Sequence, residues 1–187
     1  MKVCTATLKS ITPVSLSRLH DTPKMDKERP DEYEARTWKE KSRYDENGVA
    51  FVPGIAFKMA LDSAARFLSM QIPGKGKATF TKHFLSGVIC ADNMALGVKR
   101  DDMMSVTINA NADGVRGSGK RVKRTFPIVP QWQGKLSFYV LDDTIPKDVF
   151  EKVLSESGKF IGVGQYRPQQ GGTNGRFEVL KTEWSEQ

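Results

Sequence analysis

Apolar and polar residues alternate along several short stretches of this chain. Cys4, Ala6 and Leu8 alternate with polar neighbours, and this period of two is typical of a half-buried strand over Val3–Leu8. The same alternation, or a run of β-branched and aromatic residues, marks the remaining predicted strands. These strands are Val88–Cys90, Met104–Asn109, Lys135–Leu141 and Arg176–Leu180.

Two helices are predicted from apolar residues that recur at helical spacing. In the first, about Ile55 to Met70, Lys58, Asp62 and Arg66 form an i, i+4 polar stripe beside the apolar face. We therefore expect this helix to be mostly buried, with one wet edge. The second helix runs from about Lys147 to Ser157 and is expected to end at Gly158, because glycine suits the left-handed C-terminal cap.

Two long stretches lack sustained apolar periodicity and are predicted to be loop insertions in a single domain spanning 1–187. The first, about 12–48, is polar and charged, with a helical turn around Asp31–Lys41. The second, about 112–126, is thumb-like and basic: between Asp113 and Thr125 it has three glycines and five cations. It is expected to be a mobile loop or a projecting hairpin. The order of elements fits an α+β fold, an antiparallel sheet covered by helices on one face.

Charge then points to the class of partner. The formal net charge of +7 favours a polyanion, because a basic surface raises encounter rates with phosphates. Cys4 and Cys90 are the only cysteines and lack the spacing of a redox or zinc motif, which favours a reducing compartment. The first residues printed lack the unbroken apolar stretch of a secretory signal, so we expect none, and no apolar run in the sequence approaches the roughly 20 residues of a membrane span. We expect a cytoplasmic protein without a membrane partner.

The glycine-rich run from Gly162 to Arg176 has a physical logic for gripping anions. Glycines let backbone N–H groups approach phosphates closely and form concave nests. Arg167 and Arg176 add charge, and Tyr166 or Phe177 would stack a base. The alternative is a flexible surface turn between helix and strand, since the run lacks the Lys-Ser/Thr ending of a Walker motif.

Other candidate chemistry is sparse. His20 and His83 are suited to acid–base work near neutral pH, but neither stands in a ligand-spaced set, so we expect no metal and no cofactor. A hydrogen-bonded structural role is the alternative for each. Tryptophans usually pack, but Trp38 lies within the charged loop and is a candidate for stacking a base.

Two segments in fixed order resemble the RAMP superfamily, whose members build and process CRISPR guide complexes. Residues Val52–Ala65 resemble its strand, Ile-Pro-Gly and lysine-containing helix, and Phe160–Phe177 resembles its C-terminal glycine-rich loop leading into the last strand. The likeness is to the backbone subunit that polymerises along guide RNA, and to small stand-alone versions from phage and prophage genomes. This chain is shorter than typical backbone subunits and lacks the aromatic sheet motif of RRM domains.

The resemblance implies a modified RRM/ferredoxin-like antiparallel sheet with helices on one face and long basic loop insertions. It further implies that the nucleic-acid backbone is bound in a groove and that copies assemble side by side. Our leading hypothesis is therefore a non-enzymatic protein that binds single-stranded RNA or DNA and forms a homo-oligomer or filament along the strand. Other CRISPR or phage proteins would be further partners. The candidate binding residues are Arg18, His20, Lys24, Trp38, Lys58, Arg66, Lys75, Lys77, Arg116, Lys120, Arg121, Lys123, Arg124, Arg167 and Arg176.

Two other functions stay open. One is a metal-independent RNA endonuclease of the same superfamily, in which His20 or His83 moves the 2′-hydroxyl proton while lysines hold the scissile phosphate. The other is an interaction protein, for example a phage decoy that inserts into a CRISPR complex through its likeness to the backbone subunit.

Overall fold

The computed structural model describes residues 1–111, 117 and 119–186. The strands are β1 (Lys2–Ser10), β2 (Val14–Ser15), β3 (Arg43–Tyr44), β4 (Val49–Val52), β5 (Val88–Ile89), β6 (Met94–Lys99), β7 (Met104–Asn111), β8 (Arg121–Val129), β9 (Gln133–Val140) and β10 (Phe177–Glu186). The α-helices are α1 (Pro30–Thr37), α2 (Gly54–Leu68), α3 (Thr81–Gly87) and α4 (Lys147–Glu156). None of the described helices is both long and apolar enough to cross a membrane.

Four strands form the central antiparallel sheet, in the order β10-β1-β9-β5. With α2 and α4 they follow the chain order β1-α2-β5-β9-α4-β10, which is the βαββαβ arrangement of a ferredoxin-like fold. Phe138 lies opposite Cys4 in the sheet, and its ring centroid is 5.6 Å from that of Phe150 in α4. Phe57 of α2 lies 5.6 Å from Phe177 of β10 in the same way. The predicted fold class, with both helices on one face, is confirmed.

The two predicted loop insertions contain regular structure. The first insertion, residues 11–53, holds β2, α1, β3 and β4, and the predicted helical turn is α1 with a 3-10 turn at Trp38–Lys41. The second insertion, residues 90–132, holds β6, β7 and β8, with β7 and β8 paired from Met104–Ile128 to Asn111–Arg121. The loop prediction for 112–126 is therefore wrong from Arg121 onward, and the hairpin alternative is confirmed there. Residues 112–116 and 118 lie outside the described residues.

The C-terminal end of the second predicted helix lies further along the chain than the sequence predicted. The helix beginning at Lys147 does not stop at Gly158 but continues as a single π-helical turn over Ser157–Ile161. It ends at Gly162, whose φ of 72° and ψ of 177° form a combination essentially restricted to glycine. Four elements were missed entirely, namely α3 and β6, and the two-residue strands β2 and β3 within the first insertion.

A buried ion pair fastens the first insertion to the second. The Lys41 ammonium contacts the Glu34 carboxylate and donates to the backbone oxygen of Thr125 at 2.7 Å. The same carboxylate accepts the Thr125 N–H at 2.7 Å, and the ammonium lies 4.3 Å from the Phe126 ring centroid. The Lys41 and Glu34 side chains are 9% and 15% exposed, so each depends on the other for compensation.

Glu34→Gln is expected to lower the free energy of unfolding by about 3 kcal/mol, because it leaves the Lys41 ammonium buried without a counter-charge. Urea unfolding measures this change. Asp31→Asn is the matched control, since the Asp31 pair with Arg29 is exposed, and it should leave the midpoint almost unchanged. Equal effects of the two substitutions would contradict the role given to Lys41.

Candidate nucleic-acid interface

A groove of about 360 Å³ lies where the first insertion, the start of α2 and the glycine-rich run meet. We call it the cationic groove. Its lining residues are Leu16, Ser17, Arg18, Lys41, Arg43, Phe51, Val52, Pro53, Ala56, Gly164, Gln165, Arg167 and Gln170.

Three guanidinium groups give the groove its charge. Among the described residues, the exposed side chains of Arg18 and Arg43 form no hydrogen bond or ion pair. Arg167 is half-buried and donates only to uncharged oxygens, those of Gly164 at 3.2 Å and Gln169 at 3.1 Å. Within the described part of the chain, no carboxylate lines the groove. An anion entering it therefore meets arginine charges that no lining carboxylate offsets.

A carboxylate close to the groove is already engaged elsewhere. Glu40 accepts hydrogen bonds from both terminal nitrogens of Arg100. That hydrogen bonding is the main reason why the pKa of Glu40 is lowered, and the charges of His20 and Arg18 lower it further. Because the Glu40 charge is shared chiefly with Arg100, it leaves Arg18 available to another anion.

The first turn of α2 adds partial positive charge at the same place. The helix begins at Gly54 after Pro53, and the Ala56 N–H already donates to the Pro53 oxygen at 2.9 Å. The dipole of the helix gives this end partial positive charge, which favours anions. Since Pro53 and Ala56 line the groove, the dipole adds to the charge of the arginines, while neither residue offers a free backbone donor.

Backbone hydrogen bonds tie the glycine-rich run to itself and to the first insertion, and its grip on an anion stays a prediction. Its two ends are joined by a hydrogen bond from the Val163 N–H to the Gly175 oxygen (3.0 Å), and Gly175 donates to Pro13 of the first insertion (2.7 Å). Gln165 donates to Ser15 in the same way, at 2.8 Å. A side chain at Gly175, where φ is 76°, would place its Cβ 1.8 Å from the Val163 oxygen. Glycine is required there so that the run can close on itself beside the groove.

Two expected groove residues are structural instead. Lys58 is 8% exposed; its ammonium contacts Asp62 and donates to the oxygens of Phe84 (3.0 Å) and Leu85 (3.3 Å), where α3 ends. Its three N–H donors are thus occupied, and it caps α3. Arg176 donates to the backbone oxygens of Lys159 (3.1 Å) and Thr173 (3.4 Å). Neither side chain lines the groove, contrary to the sequence expectation.

The remaining candidates are spread over the surface. Three lie in the first insertion around Tyr33 or against the core: His20 stacks on that ring (6.1 Å), Lys24 lies over it (5.7 Å), and Trp38 is half-buried. Arg116 lies outside the described residues. Six of the remaining candidates are exposed cations that do not line the groove. They are Arg66 on α2, Lys75 and Lys77 in the loop after it, and Lys120, Arg121 and Lys123 on or beside β8. Arg124, also on β8, is half-buried.

Sequence reasoning missed Arg43 and Lys41 as groove residues. The signal for Arg43 is the turn over 45–48, which returns the chain to Val49–Val52 and pairs Arg43 with Phe51. No comparable signal marks Lys41, because its burial depends on Thr125, far away in sequence.

One acid–base pair lies away from the groove lining. His83 of α3 and Asp142 approach within 2.6 Å, between Nδ1 and Oδ2, and the Thr144 N–H donates to the other carboxylate oxygen at 2.8 Å. The hydrogen bond with His83 is the main reason why the pKa of Asp142 is lowered. A histidine held by a carboxylate is suited to proton transfer, but here it also ties α3 to the segment after β9.

Comparison with solved structures shows the fold. This chain is similar to one chain in the cryo-EM structure of the type III-B Cmr-beta bound to cognate target RNA, with a TM-score of 0.53 and 13% identity over 99% of this chain. It spans 61% of the length of that chain. It is also similar to Cmr6 from Pyrococcus furiosus, with a TM-score of 0.51 and 10% identity over 95% of this chain and 98% of that one. The fold is thus the ferredoxin-like α+β fold that these structures share. No family model and no curated protein matches the sequence.

Proposed function

We propose that this protein binds single-stranded nucleic acid by its sugar-phosphate backbone in the cationic groove, and that it does not cleave the strand. The observation that carries the proposal is the grouping of Arg18, Arg43 and Arg167 around a groove without a lining carboxylate in the described part of the chain. Guanidinium groups match phosphate oxygens in charge and geometry, which makes arginine well suited to phosphate recognition. The similar Cmr-beta structure is bound to target RNA, which supports nucleic acid as the polyanion.

The shape of the site supports a single strand. The groove has a volume of about 360 Å³ and opens between an insertion and a closed glycine-rich run. A duplex is read mainly by elements that project into its grooves, whereas a strand lies along a charged channel. The β7–β8 hairpin carries Arg121 and Lys123 exposed on one of its faces, which adds cationic charge outside the groove.

We infer further that copies of the chain assemble side by side along the strand and that CRISPR-type proteins are among its partners. The RAMP-type fold supports this, because the resemblance noted in the sequence is to a subunit that polymerises along guide RNA. An edge strand also supports it: β10 is ten residues long, pairs with β1 on one side, and lies at the edge of the central sheet. The phage decoy would share these features and differ in co-purifying with a CRISPR complex while lacking affinity for free strands.

Arg167→Glu is expected to weaken binding of a single-stranded oligonucleotide at least tenfold at low salt, because it replaces an attraction for phosphate by a repulsion. The slope of log affinity against log salt should fall by about 0.7 for each phosphate that the variant no longer neutralises. Fluorescence anisotropy over a salt series measures both. Lys152→Glu, an equal change of charge on the exposed face of α4, is the control and should have a small effect. Similar weakening in both variants, or a flat salt response, would show that the groove is not the site.

Assembly along a strand is expected to make the bound mass rise in steps with oligonucleotide length. Sedimentation or light scattering of complexes with strands of increasing length measures this. A mass that stays at one protein copy for every length would rule out side-by-side assembly while leaving binding itself in place.

No cleavage product is expected when the protein is incubated with single-stranded or structured RNA in EDTA. The physical reason is that neither His83 nor His20 lines the groove that would hold the scissile phosphate. Gel analysis of end-labelled RNA measures this. Product from the wild type that disappears in His83→Ala or His20→Ala would favour the endonuclease.

A further inference from the structure

An exposed apolar surface follows the cationic groove along α2. It consists of Ile55, Met59 and Phe67 on the helix and Phe160 on the π-helical turn, and we call it the apolar stripe. These side chains are 58%, 59%, 63% and 49% exposed. The three helix residues are spaced by four and eight positions, so they fall within an arc of about 120° that winds along the helix.

The stripe is continuous with the groove. A second hollow of about 210 Å³ is lined by Met59 and Ser63 of α2 and by Ile161, and it shares Ala56, Gly164 and Arg167 with the cationic groove. From Ala56 to Phe67 the helix rises about 16 Å, which is long enough for several nucleotides. A strand held at Arg167 therefore has a continuous path onto the stripe.

The far end of this path carries two aromatic rings. The Phe67 and Phe160 centroids are 5.6 Å apart, and their planes meet at 36°. Each ring remains about half exposed or more, so part of each surface is open to a further flat group. Arg66, next to Phe67 in sequence, is also exposed and adds a cation at this end.

We propose that the apolar stripe stacks the bases of the single strand whose phosphates lie in the cationic groove. The inference rests on the proposed function and assigns it a second subsite. Single-stranded nucleic acid carries anionic phosphates and flat apolar bases on one chain, and it matches a surface whose cationic and apolar halves adjoin. Aromatic side chains in strand-binding channels stack bases in this way without choosing among them.

The test compares uridine and thymidine oligonucleotides with the same strands carrying abasic sugars at their centre. The wild type is expected to bind the base-bearing strand about tenfold more tightly than the abasic one. The double variant Phe67→Ala/Phe160→Ala should lose that preference and keep its affinity for the abasic strand. Phe67→Tyr/Phe160→Tyr should retain the preference, and Leu141→Ala, an exposed apolar residue just after β9, should behave as wild type.

Several outcomes would overturn the inference. Equal wild-type affinity for both strands would do so whatever the variants show, and it would leave the phosphate groove in place. A double variant that is folded by circular dichroism and keeps the preference would place the base contacts elsewhere. A double variant with unchanged affinity but a lower mass in light scattering would make the stripe a subunit interface. No binding of either strand would remove the proposed function together with the inference.

Discussion

The buried ammonium of Lys41 is the interaction on which the groove depends. It binds the Glu34 carboxylate on one side and the Thr125 oxygen on the other, and so joins α1 to the strand β8. The backbone oxygen of Lys41 accepts the Arg18 N–H at 2.8 Å, which places Arg18 at the groove. A hydrophobic residue would fill the same volume without the cost of desolvating charge. The ion pair instead fixes the relative orientation of the two insertions, because both of its charged groups hydrogen-bond to the same residue of β8.

The glycine-rich run contributes shape more than charge. Its closure on Pro13 and Ser15 of the first insertion places Arg167 across the groove from Arg18 and Arg43. Arg176, at the end of the same run, donates to two backbone oxygens and holds the run against the π-helical turn. The two arginines of the run thus have different roles. Arg167 presents charge to the groove, and Arg176 holds the run in the conformation that places this charge there.

The sequence predicted those elements whose apolar face is buried by the central sheet, and it failed where burial depends on the insertions. The alternation of Cys4, Ala6 and Leu8 is visible because one side of β1 is covered by helices along its length. In β8 the residues from Arg121 to Thr125 are exposed or half-exposed, since a two-stranded ribbon has water on both faces, and its cations obscured the strand. The i, i+4 spacing of Lys58 and Asp62 is compatible both with a solvent-exposed edge of the helix and with a buried ion pair. Only α3, which the sequence did not reveal, decides between them.

The side chains around the groove also bear on selectivity. Glutamine is the neutral residue there that is best suited to reading a base edge, because its amide carries both a donor and an acceptor. The Gln165 oxygen accepts the Ser15 hydroxyl at 3.4 Å, and the Gln169 oxygen accepts Arg167 at 3.1 Å. These two amides are turned toward the protein, whereas the exposed Gln170 lines the groove and forms no side-chain hydrogen bond within the described residues. Under the proposed function, the arginines contact phosphates that are the same at every nucleotide, and Gln170 is the lining amide placed to contact a base edge.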